Sequence, residues 1–240
     1  MFFGSFFQKR TSFLPRVVLI TRPAGEAAGT ASAVSALGYE PIVAPLFVVT
    51  PRAMAVPECV QAVVVTSGHA LPALPLVDVP ILAVGDSTAA RARAWGFARV
   101  ESAGGDAVAL AALVARRLAP GAGPLLLASG ARQGHAIAAD LRGRGFRVIR
   151  RVCYSADPVR VFPGAAADAI RCGDVHAVLF LSAETAAAFV RLLPPECNDA
   201  LASITALAIG KTTADVLEAL PWLRIRRART PTLDDVLALI

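Results

Sequence analysis

A chain of 240 residues that is 55% hydrophobic can bury the cores of two domains of roughly 100 residues each. Its apolar runs are broken by Gly, Pro, Arg or Asp and stay short of the ~20 residues a membrane helix needs, so no membrane partner is expected. The formal charge of +6 rests on arginine, with Lys9 and Lys211 the only lysines; that excess suits nucleic acid, anionic lipid or a small polyanion, and without a dense basic run or a reading helix nucleic acid is the weakest of these.

Residues 1–15 are apolar at Phe2, Phe3, Phe6 and Phe7, but their positive charges follow the apolar run instead of preceding it. An extension without fixed structure, or a misassigned start, is expected there, and not a secretory leader. Residues 17–20, VVLI, make a continuous apolar run that suits a strand buried on both faces. Residues 26–37 are alanine-rich and helical, stopping at Gly38, and 39–44 read as the next strand. Pro45 and Pro51 bracket residues 46–50, a β-prone crossing too apolar to be a tether.

Strand 62–65, the turn Thr66-Ser67-Gly68, a proline-interrupted segment and strand 81–84 come next. Gly85 opens a helix and a short strand, after which Asp106 caps a helix over 107–118. Strand 125–128 leads through Ser129 and Gly130 to a helix around 136–141 and a strand over 146–152; residues 153–161 are again crossing-like, with Tyr154 near their start. Helix 164–171, strand 177–181 and helix 184–193 follow, and the last helix is expected to be capped at Thr230-Pro231-Thr232 with proline in its first turn. This alternation predicts an α/β fold of parallel sheets covered by helices on both faces.

Part of that pattern occurs twice. Residues 82–100 read LAVGDSTAARARAWGFARV and residues 207–225 read LAIGKTTADVLEALPWLRI, so that Leu82, Gly85, Thr88 and Arg99 meet Leu207, Gly210, Thr213 and Arg224 at a constant offset. AVVVTS at 62–67 resembles AVLFLS at 177–182, and VVLIT with Gly38-Tyr39 more faintly resembles LLLA with Gly145-Phe146. The chain is read as an internal duplication.

In open α/β sheets, ligands sit beyond the carboxyl ends of strands, where helix N-termini offer unpaired backbone NH groups. Small hydroxyl or glycine residues occupy nearly every such junction here: Thr21, Thr66-Ser67-Gly68, Gly85-Asp86-Ser87-Thr88, Ser129-Gly130, Ser182 and Gly210-Lys211-Thr212-Thr213. Each alone is most simply an N-cap, but their recurrence at one end of two duplicated sheets suits an anionic ligand. Neither GxGxxG nor GxxxxGK[ST] nor GxSxG occurs, and His69, His135 and His176 have no carboxylate or nucleophile at recognisable spacing. Cys59, Cys153, Cys172 and Cys197 form no CxxC or Cys/His cluster, which fits a reducing cytoplasm and no metal.

Over residues 16–240 the sequence resembles the uroporphyrinogen-III synthase family. The resemblance is carried by VVLITRPAGEA, VVVTSGHA, AVGDSTAARARAWGF with SAGGDAVALAALV, the Gly-Phe-x-Val and Tyr154 segment, AVLFLSAETAAAF, AIGKTTADVL and RTPTLDDVLALI, in that order. It implies two α/β domains joined by a two-stranded β connection, with the site in the cleft between them: residues 16–45 and 159–240 in a discontinuous first domain, 52–151 in the second, and 46–51 and 152–158 as linkers. The implied reaction closes hydroxymethylbilane to uroporphyrinogen III, inverting the terminal pyrrole and losing water, with no cofactor. The implied setting is a cytoplasmic monomer that receives its substrate from the enzyme making it.

Matched position by position, the family's cleft loops fall on Thr21, Arg22, Thr66, Ser67, Ser129, Ser182, Ala183, Glu184, Thr212 and Thr213, to which the junction reading adds Gly68, Ser87 and Gly130. Tyr154 matches a tyrosine able to assist departure of the hydroxyl as general acid; an aromatic packed in a β crossing fits it equally well. One departure from the family pattern is expected to shorten or remove a helix: residues 70–84 carry Pro72, Pro75 and Pro80 where the duplicate has residues 183–209. The other class of reading is a non-catalytic two-domain module that binds a tetrapyrrole or another anion without converting it.

Overall fold

The computed structural model describes residues 16–240; the expected N-terminal extension at 1–15 lies outside the described residues. The chain divides into two units, one comprising residues up to Phe47 together with Pro158–Ile240, the other Val48–Asp157.

The chain opens with β1 (Val17–Ile20), α1 (Ala24–Ala36), β2 (Glu40–Val43), β3 (Phe47–Pro51) and β4 (Ala62–Val65). After a 3-10 turn over Gly68–Ala73 come β5 (Ile81–Ala83), α2 (Asp86–Ala94), β6 (Val100–Ser102) and α3 (Ala107–Arg117). β7 (Leu125–Gly130), α4 (His135–Gly143) and the long β8 (Val148–Pro158) follow. The remainder is α5 (Gly164–Cys172), β9 (Val175–Phe180), α6 (Ala183–Leu192), β10 (Thr205–Ala208), α7 (Lys211–Leu217), β11 (Arg224–Arg227) and α8 (Leu233–Leu237).

The first unit carries a five-stranded sheet in the order β11-β10-β9-β1-β2, with every neighbouring pair parallel. The second carries a six-stranded sheet, β3-β8-β7-β4-β5-β6, parallel from β8 to β6. With β3 set aside, the two orders are one path begun at different points: β4, β5 and β6 occupy the places of β9, β10 and β11, and β7 and β8 those of β1 and β2. The sequence repeat is therefore a repeat of topology.

Alternation along each strand feeds two cores, which is why the strands read as unbroken apolar runs. In the first unit Val17, Leu19, Val178 and Phe180 pack with α5 and α6, while Val18, Ile20, Ala177 and Leu179 pack with α1 and α8. In the second, Val63, Val65 and Leu126 face the 3-10 turn and Tyr154, while Ala62, Val64 and Leu127 face α3 and α4. Aromatic rings cluster in the first unit: the Phe189 ring lies 5.2 Å from Phe162, 5.1 Å from Phe180 and 5.4 Å from Trp222.

Three local expectations are refined. The proline-bearing stretch after Gly68 retains only the 3-10 turn, with Pro72 inside it, where its counterpart after β9 is the full helix α6. Residues 146–161 do not divide into a strand and a crossing, because β8 runs unbroken through Tyr154 to Pro158. The last helix is capped by Thr232, whose hydroxyl accepts from the Asp235 NH; Pro231 precedes the cap and lies outside the first turn.

All four cysteines are free thiols, with Cys59 and Cys172 exposed and Cys153 and Cys197 buried. Burial pushes the Cys153 thiol up to about 11 and raises Cys197 as well. Brief alkylation of the native protein at neutral pH is therefore expected to modify Cys59 and Cys172 and to spare the buried pair until denaturant is added, as peptide mass mapping would read. Native labelling of Cys153 would contradict this packing.

Candidate active site

Each sheet reverses its strand order at one place. In the first unit β1 leads outward to β2 and β9 leads the other way to β10 and β11, so the reversal lies between β1 and β9. In the second it lies between β4 and β7. The crevice outside the carboxyl ends at such a reversal is where parallel α/β sheets bind ligands, and nearly all the sequence-derived residues sit at one or the other.

In the first unit Thr21 follows β1 and is buried; its hydroxyl donates to the Leu179 carbonyl at 2.6 Å, tying β1 to β9 across the reversal. Arg22 turns back along α1, donating to Glu26 Oε2 at 2.8 Å and Thr30 Oγ1 at 3.1 Å. Ser182 caps α6 by accepting from the Thr185 NH at 3.1 Å. The first NH groups of α6, on Ala183 and Glu184, then have no earlier turn to bond to. One strand further out, Gly210 precedes α7, where Thr212 is exposed, Thr213 is buried and Lys211 pairs with Asp215 at 2.8 Å. The Thr21 hydroxyl expected to face ligand thus faces the protein and Thr213 is a buried residue, whereas the amides of α6 and α7 remain at the edge.

In the second unit Ser67 caps the 3-10 turn by accepting from the His69 NH, and Gly68 lies so close to Arg91 that a Cβ there would meet the guanidinium at 2.7 Å. Ser87 is exposed in the first turn of α2, with the acid Asp86 before it. Thr66 and Ser129 extend the neighbouring strands β4 and β7, and the hydroxyl oxygen of each is buried without a hydrogen-bond partner among the described residues. A buried orphan hydroxyl is costly unless a water or ligand atom meets it, and here two lie on adjacent strands, that of Ser129 beneath Gly134.

Tyr154 belongs to the same place by an irregularity the sequence did not announce. Ser129 pairs with Val152 but Gly130 pairs with Tyr154, so Cys153 is an extra residue in β8. This bulge turns Cys153 and Tyr154 into the same apolar cluster. The Tyr154 ring covers Gly130, where a Cβ would come within 2.8 Å of it, and its hydroxyl donates to Gln133 Oε1 at 2.8 Å. The His69 ring lies 5.4 Å away on the side of the β4 loop. Residues from β4, β7 and β8 thus converge on one phenol, which is 2% exposed.

Gln133 and Arg150 were not among the expected site residues. Gln133 is an exposed polar residue in a short loop, and only its position beneath Tyr154 distinguishes it. Among the described residues no group of three or more His, Cys, Asp or Glu side chains is placed to hold a metal, and no helix is long and apolar enough to cross a membrane. The chemistry available is that of neutral hydroxyl and amide donors beside a few arginines, suited to carboxylate groups and to one phenolic proton.

Residues 29–238 match the family model described as uroporphyrinogen-III synthase HemD. Among solved structures, the uroporphyrinogen-III synthetase of Helicobacter pylori 26695 shares the fold at TM-score 0.63 and 18% identity, over 93% of this chain and 97% of that one. A mutant uroporphyrinogen III synthase from the extremely thermophilic bacterium Thermus thermophilus aligns at TM-score 0.49 and 21% identity, over 92% of this chain and 96% of that one. No individual curated protein matches the sequence significantly.

Proposed function

Because the chain belongs to the uroporphyrinogen-III synthase family, whose members are cyclising hydro-lyases of tetrapyrrole biosynthesis, we propose that its two sets of carboxyl-end loops act together on one linear tetrapyrrole. The reaction closes hydroxymethylbilane to uroporphyrinogen III: the terminal hydroxyl leaves as water, the substituted α-carbon of the last pyrrole bonds to the methylene it left to give a spiro intermediate, and the bond from that α-carbon to its original bridging methylene then breaks and re-forms at the ring's free α-carbon, which loses its proton, so that this ring closes inverted. Every pyrrole of that substrate carries an acetate and a propionate. The observation that carries the reading is the doubled reversal point, each ending in small hydroxyl and amide donors.

In this reading the donors at Ser182, Ala183, Glu184, Thr212 and Thr213, with those at Thr66, Ser67, Gly68, Ser87, Ser129 and Gly130, grip carboxylates from both sides of a cleft and hold the chain curled. Thr21 and Arg22 set the frame of the first loop more than they touch substrate, since both side chains already bond within the protein. Rate then comes from orientation and from fixed dipoles aimed at developing charge. Tyr154 assists the departing hydroxyl. We read the chain as a cytoplasmic monomer that takes its substrate from the enzyme that makes it.

Hydroxymethylbilane left alone closes without inversion, so isomer analysis decides. With the bilane generated in situ and the products oxidised and separated, purified protein is expected to give predominantly the type III isomer. Type I alone, from folded protein, would leave a binding module.

A further inference from the structure

The loop between β7 and α4 is held by individual hydrogen bonds and not by a helix or strand. Residues 131–134 have no regular structure, and α4 begins at the left-handed Gly134 without a side-chain cap. Yet Gln133, in this loop, accepts a hydrogen bond from the Tyr154 hydroxyl. What fixes the loop is Arg150, on β8, whose guanidinium has carbonyl oxygens as partners. Its Nη2 donates to Gly130 O at 2.9 Å, Ala131 O at 2.9 Å and Gln133 O at 2.7 Å, and its Nε to Gln133 O at 3.0 Å.

Two further bonds tie the same loop along β8: the Ala131 NH donates to the Tyr154 carbonyl at 3.0 Å, and Arg132 Nη2 to the Ala156 carbonyl at 2.7 Å. Below, Gly134 sits over Ser129 so closely that a Cβ would lie 2.7 Å from its Oγ. Within the loop the Gln133 NH donates to the Gly130 carbonyl at 3.1 Å; from β8, only Arg150 grips the backbone of Gln133 itself. A fork of donors can satisfy several carbonyls that a lysine, as a point charge, cannot.

We propose that Arg150 is a positioning residue for the cyclisation: by clamping the carbonyls of Gly130, Ala131 and Gln133 it sets the Gln133 side chain, and through it the place of the Tyr154 hydroxyl. This rests on the reading that Tyr154 serves the departing hydroxyl. Arg150 touches no reacting atom in this assignment. Its effect reaches the chemistry only through Tyr154, which makes it separable by experiment from a substrate-binding arginine.

The experiment compares Arg150→Ala, Arg150→Lys, Gln133→Met and Tyr154→Phe, with the double variants Arg150→Ala/Tyr154→Phe and Gln133→Met/Tyr154→Phe, for kcat, KM and type III fraction. Arg150→Ala is expected to lower kcat on the order of 10-fold with KM little changed. Arg150→Lys should recover little of the loss and added methylguanidinium part of it. In the Tyr154→Phe background the Arg150 change should cost less than about 2-fold more, because coupled residues are non-additive. Should Arg150→Ala fail to fold, Gln133→Met, at an exposed loop position, carries the test with the same expected kcat loss and the same non-additivity. A raised KM at unchanged kcat, a fully multiplicative loss in either double variant, or wild-type kcat in Gln133→Met would overturn the assignment. Wild-type kinetics in Tyr154→Phe would instead remove the reading beneath it.

Discussion

Tyr154→Phe is expected to stay folded while kcat falls on the order of 10²-fold or more, the usual contribution of a positioned general acid. The ring packs among Val63, Val65, Leu71 and Leu126, and phenylalanine fills the same space. The hydroxyl bond to Gln133 is lost, at a cost of about 1 kcal/mol or less, because Gln133 is exposed and its amide oxygen returns to water. A small change in Tm with a large change in kcat therefore distinguishes a chemical role from a packing role. Isomer analysis adds a second readout, since any bilane the enzyme fails to turn over closes by itself to type I. Should the variant make type III at the wild-type rate, the phenol is only core.

The largest effect on stability is expected in the other unit. Phe189→Ala should cost about 3–5 kcal/mol, because a fully buried ring is removed from contact with three aromatic neighbours. Phe180 projects from β9 and Trp222 donates its indole NH to the Leu217 carbonyl at 3.0 Å, so neither can slide freely into the cavity. Against a total stability of about 5–15 kcal/mol, that loss brings the fold near its limit. Urea unfolding should show a lower midpoint at an unchanged slope, with Trp222 as the fluorescent reporter. A cost under about 1 kcal/mol would mean that the aromatic cluster closes over the gap.

Much of this fold was legible because buried parallel strands have a loud signature. VVLI and AVVV could be bounded to the residue, and the repeat of LAVG as LAIG pointed to two sheets of one design. Prolines at 72, 75 and 80 announced the missing helix for a reason that needs no tertiary context: proline lacks the donor that a helix interior requires. The site was legible in position more than in role. Hydroxyls at strand ends were found, but sequence cannot say whether Thr21 points to ligand or to the Leu179 carbonyl, since the acceptor is a backbone atom more than a hundred residues away.

The bulge at Cys153 was invisible for a related reason. It breaks the two-residue period of a strand by one, and Cys-Tyr-Ser read in either register is compatible with β structure. Arg150 was hidden by its partners: carbonyl oxygens belong to every residue, so a clamp built on them leaves no pattern of complementary side chains. Gln133 became visible only once the bulge had brought Tyr154 over Gly130.

The permuted order of the two sheets has a consequence for synthesis. The second unit is one uninterrupted stretch, so all of its strands leave the ribosome before β9 does. The first unit cannot finish then: β1 must pair with the central strand β9, Val18 against Ala177, and until that partner is made β1 and β2 have only each other. The nascent chain therefore carries a folded middle and an exposed apolar hairpin-length fragment at its start, which is the stage at which aggregation or a chaperone would act.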